Sequence, residues 1–113
     1  MNIQIFGAKK SSDTRKAERF FKERCIRFQS VDMSDKGLSK GELTSVMQAC
    51  GGLDALLDEN CKDQDALALV RHISASQRIE KVLENQQVLR QPIVRNGRQA
   101  TAGYQPDVWK SWT

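Results

Sequence analysis

Four basic side chains, Lys9, Lys10, Arg15 and Lys16, surround a short hydroxyl stretch, Ser11 and Ser12, followed by Asp13. Where a helix opens at such a stretch, its first backbone N–H groups lack intrahelical partners and form an anion site. A tetrahedral oxyanion such as phosphate or sulfate is expected to bind weakly there, with Lys10, Ser12 and Arg15 around it and the N–H groups of residues 10–13 as main donors. Asp13 works against tight binding, because its carboxylate competes for the same positive helix end. A serine hydroxyl is no nucleophile near neutral pH without a base, and the chain's single histidine, His72, is far away in sequence. One histidine also argues against a His-based metal site, so no metal is expected. The three cysteines, Cys25, Cys50 and Cys61, are odd in number and form no C-x-x-C, so neither a disulfide framework nor a zinc site is implied. Cys50 falls on an apolar helical stripe and is expected in the core. Cys25 follows a helix end and is expected to pack, whereas Cys61, in the polar stretch 58–65, is the thiol expected to be exposed.

The elements that must position these residues follow from hydrophobic spacing. Ile3, Ile5 and Phe6 mark a buried strand over residues 2–6, ended by Gly7. Ala17, Phe20 and Phe21 repeat at i, i+3, i+4 and predict an amphipathic helix over 12–24. Ile26 and Phe28 alternate with polar residues, so 26–31 reads as a second strand. A strand, helix and strand of this length make a right-handed unit with parallel strands. Ser39 and Glu42 form a capping box, with Leu38 and Leu43 as its hydrophobic staple. Leu43, Val46, Met47 and Cys50 continue that helix, and Gly51-Gly52 ends it. Helical spacing returns at Leu67 and Val70. Ser74 with Gln77 reads as a second capping box, opening a helix with Ile79, Val82 and Leu83 on one face. After Pro92, the order Ile93-Val94, Asn96-Gly97 and 98–102 predicts an antiparallel hairpin with a type I′ turn at Asn96-Gly97. Pro106 and Asp107 open a last helix carrying Trp109 and Trp112, both read as packing anchors.

The 113 residues amount to one domain, 1–113, able to bury a core without staples. Hydrophobic residues at 39% and charged residues at 28% exclude a disordered chain. No apolar run approaches the roughly 20 residues of a membrane span, and the N-terminus lacks a signal-peptide pattern. These features predict a cytoplasmic protein with reduced thiols. A net charge of +4 suits an anionic small substrate or an acidic partner, while the absence of a dense basic run with interleaved aromatics argues against direct nucleic-acid binding.

Four segments in register resemble the arsenate reductase and Spx family of thioredoxin-like proteins, over essentially the whole chain. Residues 6–17 resemble its opening strand, loop and helix; Arg15-Lys16-Ala17 resembles a basic-basic-Ala triplet that begins four residues after the family's catalytic cysteine. Residues 38–52 resemble the start and Gly-rich stop of the family's helical insertion. Gln91-Pro92-Ile93-Val94 resembles its Arg-Pro-Ile-Val segment, and Gly103-Tyr104 to Trp109 its terminal motif.

The resemblance implies an α/β, thioredoxin-like fold: a mixed four-stranded sheet, parallel βαβ plus antiparallel ββα, with a helical insertion over about 38–85. It places Ser11 at the nucleophilic cysteine, Thr14 at the second cysteine of Spx-type members, and Pro92 as the structural cis-proline. It puts Gln91 in place of the oxyanion-binding arginine and Asp58-Glu59-Asn60 near the insertion's arginine. Arg90, one residue along an extended segment, is expected to point away from Gln91.

The chemistry so implied is thiol-dependent arsenate reduction with no bound cofactor, drawing electrons from glutathione, glutaredoxin or thioredoxin. A serine ester could not be resolved by thiol exchange, so the chain reads as an oxidoreductase by resemblance that is inactive as written. The alternative is an Spx-like transcriptional regulator that binds RNA polymerase.

Overall fold

The computed structural model describes residues 2–112. Its elements run β1 (Ile3–Gly7), α1 (Ser12–Glu23), β2 (Phe28–Asp32), α2 (Lys40–Cys50), α3 (Gln64–His72), α4 (Ala75–Glu84), β3 (Ile93–Asn96), β4 (Gln99–Ala102) and α5 (Pro106–Ser111), with 3₁₀ turns at Leu53–Leu56 and Gln86–Val88. The sheet order is β2-β1-β3-β4. β1 runs parallel to β2 and antiparallel to β3, and β3 pairs antiparallel with β4. The mixed four-stranded, thioredoxin-like α/β fold is therefore present, with the helical insertion between β2 and β3.

Alternation along the two central strands divides the core between the faces of the sheet. Ile3, Ile5 and Val94 pack with Ala17 and Phe21 of α1 and Trp109 of α5. Phe6 and Ile93 face the insertion, where Leu43, Val46, Leu67, Val70 and Val82 are buried. Trp109 is fully buried, and its indole N–H donates to Thr101 Oγ1 at 2.8 Å, which satisfies the one polar atom of that anchor.

Several local expectations change. The first strand runs one residue later than 2–6, including Gly7. The second starts at Phe28 rather than Ile26 because a turn consumes the intervening residues: Cys25 adopts φ 57°, its N–H donates to Lys22 O at 3.1 Å, and Ile26 N–H donates to Phe21 O at 2.9 Å. This is the Schellman stop, with cysteine where glycine is usual. Cys25 is consequently exposed instead of packed. The Ser39–Glu42 capping box forms in both directions, and Leu38 and Leu43 are buried in the same cluster. Gly51 takes the left-handed conformation that ends α2, at φ 86°. Ser74 caps nothing with its side chain: its hydroxyl pairs with that of Ser76 at 3.2 Å, and Gln77 N–H bonds the Ser74 carbonyl at 3.0 Å. The hairpin pairs Asn96 with Gln99, so its loop is Gly97-Arg98. Gly97 alone has positive φ, 62°, which is the pattern of a type II′ turn and not the expected I′.

Candidate functional site at the mouth of α1

Ser11 closes the loop after β1 and caps α1. Its φ of −71° and ψ of 122° are extended, and its Oγ accepts the Thr14 N–H at 3.2 Å. Its own N–H donates to Ala8 O at 3.0 Å. One helical turn further in, Thr14 is 4% exposed and lies against Gly7, where any side chain would collide with its hydroxyl. The loop is also tied to the other half of the sheet. Ala8 N–H donates to Gln91 Oε1 at 2.8 Å, and the Gln91–Pro92 peptide bond is cis. Pro92 O in turn accepts the Gly103 N–H at 2.9 Å. The carboxamide of Gln91 is therefore a strut between the loop and the β3 entry.

Ser11 and Gln91 line one cleft of about 440 Å³, together with Asp13, Asp58, Cys61 and Asp63. A neighbouring cleft of about 280 Å³ shares Asp13, Asp58 and Gln91 and adds Arg90 and Tyr104. Of the predicted anion ligands only Gln91 lies here, beside Ser11, the expected nucleophile position. Lys10, Ser12 and Arg15 are exposed outside both clefts. Three carboxylates, Asp13, Asp58 and Asp63, and one cation, Lys62, line the cleft beside Ser11, so its surroundings are net acidic.

The insertion supplies those carboxylates. Leu57 and Leu89 form an isolated antiparallel bridge, flanked by Asp58 N–H to Val88 O at 2.8 Å and Arg90 N–H to Leu56 O at 2.7 Å. That bridge brings residues 58–63 beside 87–91. Asp58 Oδ1 accepts the Asn60 N–H at 2.9 Å. Asp63 caps α3 by accepting the Ala66 N–H at 3.0 Å, and Gln87 Nε2 donates to its other oxygen at 3.0 Å. The Ala66 bond first, and then the Gln87 bond, hold its carboxyl below the usual range.

Cys61 is buried in the insertion core at 8% exposure, contrary to its expected exposure. The turn from Asp58 directs it inward: Cys61 N–H donates to Asp58 O at 3.2 Å, and Sγ lies 3.5 Å from Asp63 O. Burial, then the negative charge of Asp58, pushes its thiol up. Cys50 is half-buried rather than fully in the core, with Sγ 3.4 Å from Ala100 O, and burial raises it too. Among the described residues no group of three or more His, Cys, Asp or Glu side chains could hold a metal ion. His72 is exposed in the last turn of α3.

The resemblance puts Asp58 near the site, but sequence reasoning did not foresee Asp63 in the cleft of Ser11 or Arg90 in the neighbouring one. Arg90 lines the same cleft as Gln91, against the alternation expected of an extended segment, because the segment before Pro92 follows a 3₁₀ turn and holds a single bridge, not a strand. The available signal was the paired Leu56-Leu57 and Val88-Leu89, two apolar doublets that can bridge and draw their polar neighbours together.

This fold and this loop define a thioredoxin-like protein with its candidate site at the start of the first helix. Residues 6–112 match the ArsC family, and the chain belongs to it. It is 27% identical over 104 residues to the global transcriptional regulator Spx 2 of Lactococcus lactis subsp. lactis, covering 90% of this chain and 79% of that one. Its fold matches an ArsC family related protein from Bacteroides fragilis with a TM-score of 0.85, at 16% identity over 100% of this chain and 98% of the other. An arsenate reductase from Vibrio cholerae matches with a TM-score of 0.83, at 21% identity over 98% and 97% of the two chains. No helix among the described residues is long and apolar enough to cross a membrane.

Proposed function

We propose that this chain is a catalytically silent ArsC-family protein of the cytoplasm: a thiol-dependent oxidoreductase by descent, whose nucleophile position, Ser11, carries a hydroxyl. The observation that carries the reading is the duty of that hydroxyl, which accepts the Thr14 N–H as the cap of α1. The same helix start would favour a thiolate, because N–H groups and the helix's partial positive charge stabilise it. They do far too little for an alcohol. The nearest thiol in the cleft, Cys61, is buried and raised, so it does not take over. Asp13 and Asp58 oppose an arsenate dianion, Gln91 offers no guanidinium, and Arg90 lies in the neighbouring cleft and not in that of Ser11.

The test is NADPH-coupled arsenate and disulfide reduction, with glutathione and glutaredoxin in one arm and thioredoxin in the other. The expected rate equals the protein-free background. Turnover above background that Ser11→Ala or Cys61→Ser abolishes would contradict the reading.

The similarity to Spx 2 favours a second reading, a regulator that binds RNA polymerase through its surface. Stoichiometric retention of purified polymerase on the immobilised chain supports it, and no retention removes it.

A further inference from the structure

The charge of this protein is unevenly distributed. Residues 9–27 hold eight basic and three acidic side chains, a net of +5, while the rest of the chain holds ten basic and eleven acidic, a net of −1. Ion pairing follows the same division. Outside this segment Lys40 pairs with Glu80, Arg71 with Glu59, Arg78 with Asp54, Lys81 with Glu84, Arg95 with Glu42 and Lys110 with Asp107. Within the segment, among the described residues, one ion pair forms: Lys16 with Asp13, at 3.9 Å. Lys10, Arg15, Arg19, Lys22 and Arg27 are exposed and form no ion pair with another described residue.

Folding turns this segment into a stripe. Thr14, Ala17 and Phe21 are the buried face of α1. Arg15, Arg19 and Lys22, at i, i+4 and i+7, therefore share the outer face. Beyond the helix end Arg27 lines one pocket with Lys22, and Lys10 is exposed in the loop before the helix. A sequence-based reading misses this row because acidic and apolar residues separate its members along the chain.

We propose that the outer face of α1 binds the phosphate backbone of a duplex nucleic acid without reading its sequence. A row of cations that form no ion pair with another described residue, although Glu18 and Glu23 stand four residues from Lys22 and Arg19, matches a uniform line of phosphates, and binding releases the counterions condensed on it. An acidic protein partner fits less well. Specific protein interfaces centre on buried aromatic or aliphatic anchors, and the large exposed apolar residues described, Leu69, Tyr104 and Val108, lie off this helix. Arginine forks add bidentate pairing with phosphate oxygens. The face is independent of whether Ser11 reacts.

The experiment is fluorescence anisotropy of a labelled DNA duplex against the full chain, from about 50 to about 200 mM salt. Binding in the non-specific range, with Kd about 10⁻⁴–10⁻⁶ M, and a slope of log K on log salt near −4 are expected for four to five phosphate contacts, at ~0.9 per contact. Arg15→Glu with Arg19→Glu and Lys22→Glu should weaken binding at least ~10-fold and flatten the slope by about 3. The set Lys36→Glu, Arg71→Glu and Arg98→Glu, with the same charge change elsewhere, should keep most of both. If the first set fails to fold by circular dichroism, Arg15→Gln, Arg19→Gln and Lys22→Gln keep helix propensity and should still flatten the slope by roughly 2.7. No duplex binding at about 50 mM salt, an equal loss in the control set, or tighter binding to poly-glutamate or phosphatidylserine vesicles than to the duplex would each overturn the proposal.

Discussion

Two helices of this protein open on a serine cap, and the two starts differ. At α2 the cap is closed. Ser39 Oγ accepts the Glu42 N–H at 3.2 Å, and Glu42 Oε1 accepts the Ser39 N–H at 2.9 Å. Glu42 also lies 3.7 Å from Arg95 Nη1 of β3, so the cap is fastened to the sheet. At α1 the cap is one-sided. Ser11 accepts a single N–H at 3.2 Å, no side chain returns the bond, and a cleft of about 440 Å³ stands beside it. Each start still leaves two N–H groups without a helical partner, those of Lys40 and Gly41 at α2 and of Ser12 and Asp13 at α1, so the difference lies in what stands beside the cap: the sheet at α2 and an open cleft at α1. The same residue type thus marks a purely structural start in one place and a candidate site in the other.

Glu42→Ala separates the two starts most strongly. It removes the return bond of the box and the carboxylate partner of half-buried Arg95, whose Nε already lacks a partner. The expected loss is about 1–2 kcal/mol in urea unfolding, with no change at the α1 cleft. Ser39→Ala should cost about 1 kcal/mol, or roughly 4 °C in Tm. Ser11→Ala should cost about 0.5 kcal/mol, because only one bond is lost. If Ser11→Ala proves the costlier of the two, the α1 start is as structural as the α2 start and the contrast fails.

A third start, at α3, gives the pH arm of the comparison. Asp63 caps it as a carboxylate held below its usual range. A lowered folded value means that its contribution is complete above the unfolded carboxyl range, near pH 4, and is lost as pH falls through the folded value. Urea midpoints of the parent and Asp63→Asn should therefore converge as pH drops below about 4. Curves that stay parallel throughout would show that the charge contributes nothing.

The framework of the site was legible in the sequence because it rests on local rules. The 3.6-residue spacing located α1, capping and spacing located α2, and the short apolar stretch Ile3, Ile5 and Phe6 located β1. What the sequence concealed depends on contacts distant along the chain. Cys61 reads as a loop thiol in its polar stretch, yet the Leu57–Leu89 bridge folds that stretch against the core. The same bridge delivers Asp58, Lys62 and Asp63 to the cleft, so a mouth that looks basic in residues 9–16 is net acidic in space. Local chemistry also misled at Ser74, whose hydroxyl found Ser76 instead of the helix end, and at Cys25, where a non-glycine residue took the left-handed stop.

We propose that the start of α1 is a thiolate position occupied by a hydroxyl. The direct measurement is the pH dependence of alkylation at each cysteine of Ser11→Cys, read by mass spectrometry. The Thr14 N–H and the helix end should hold the new thiol below the ordinary value of about 8.5, while Cys61 in the same cleft reacts only above it, because burial and Asp58 raise it. An ordinary or raised value at position 11 would mean that Asp13 and Asp58 outweigh the helix end, and that the site is not preorganised for thiol chemistry.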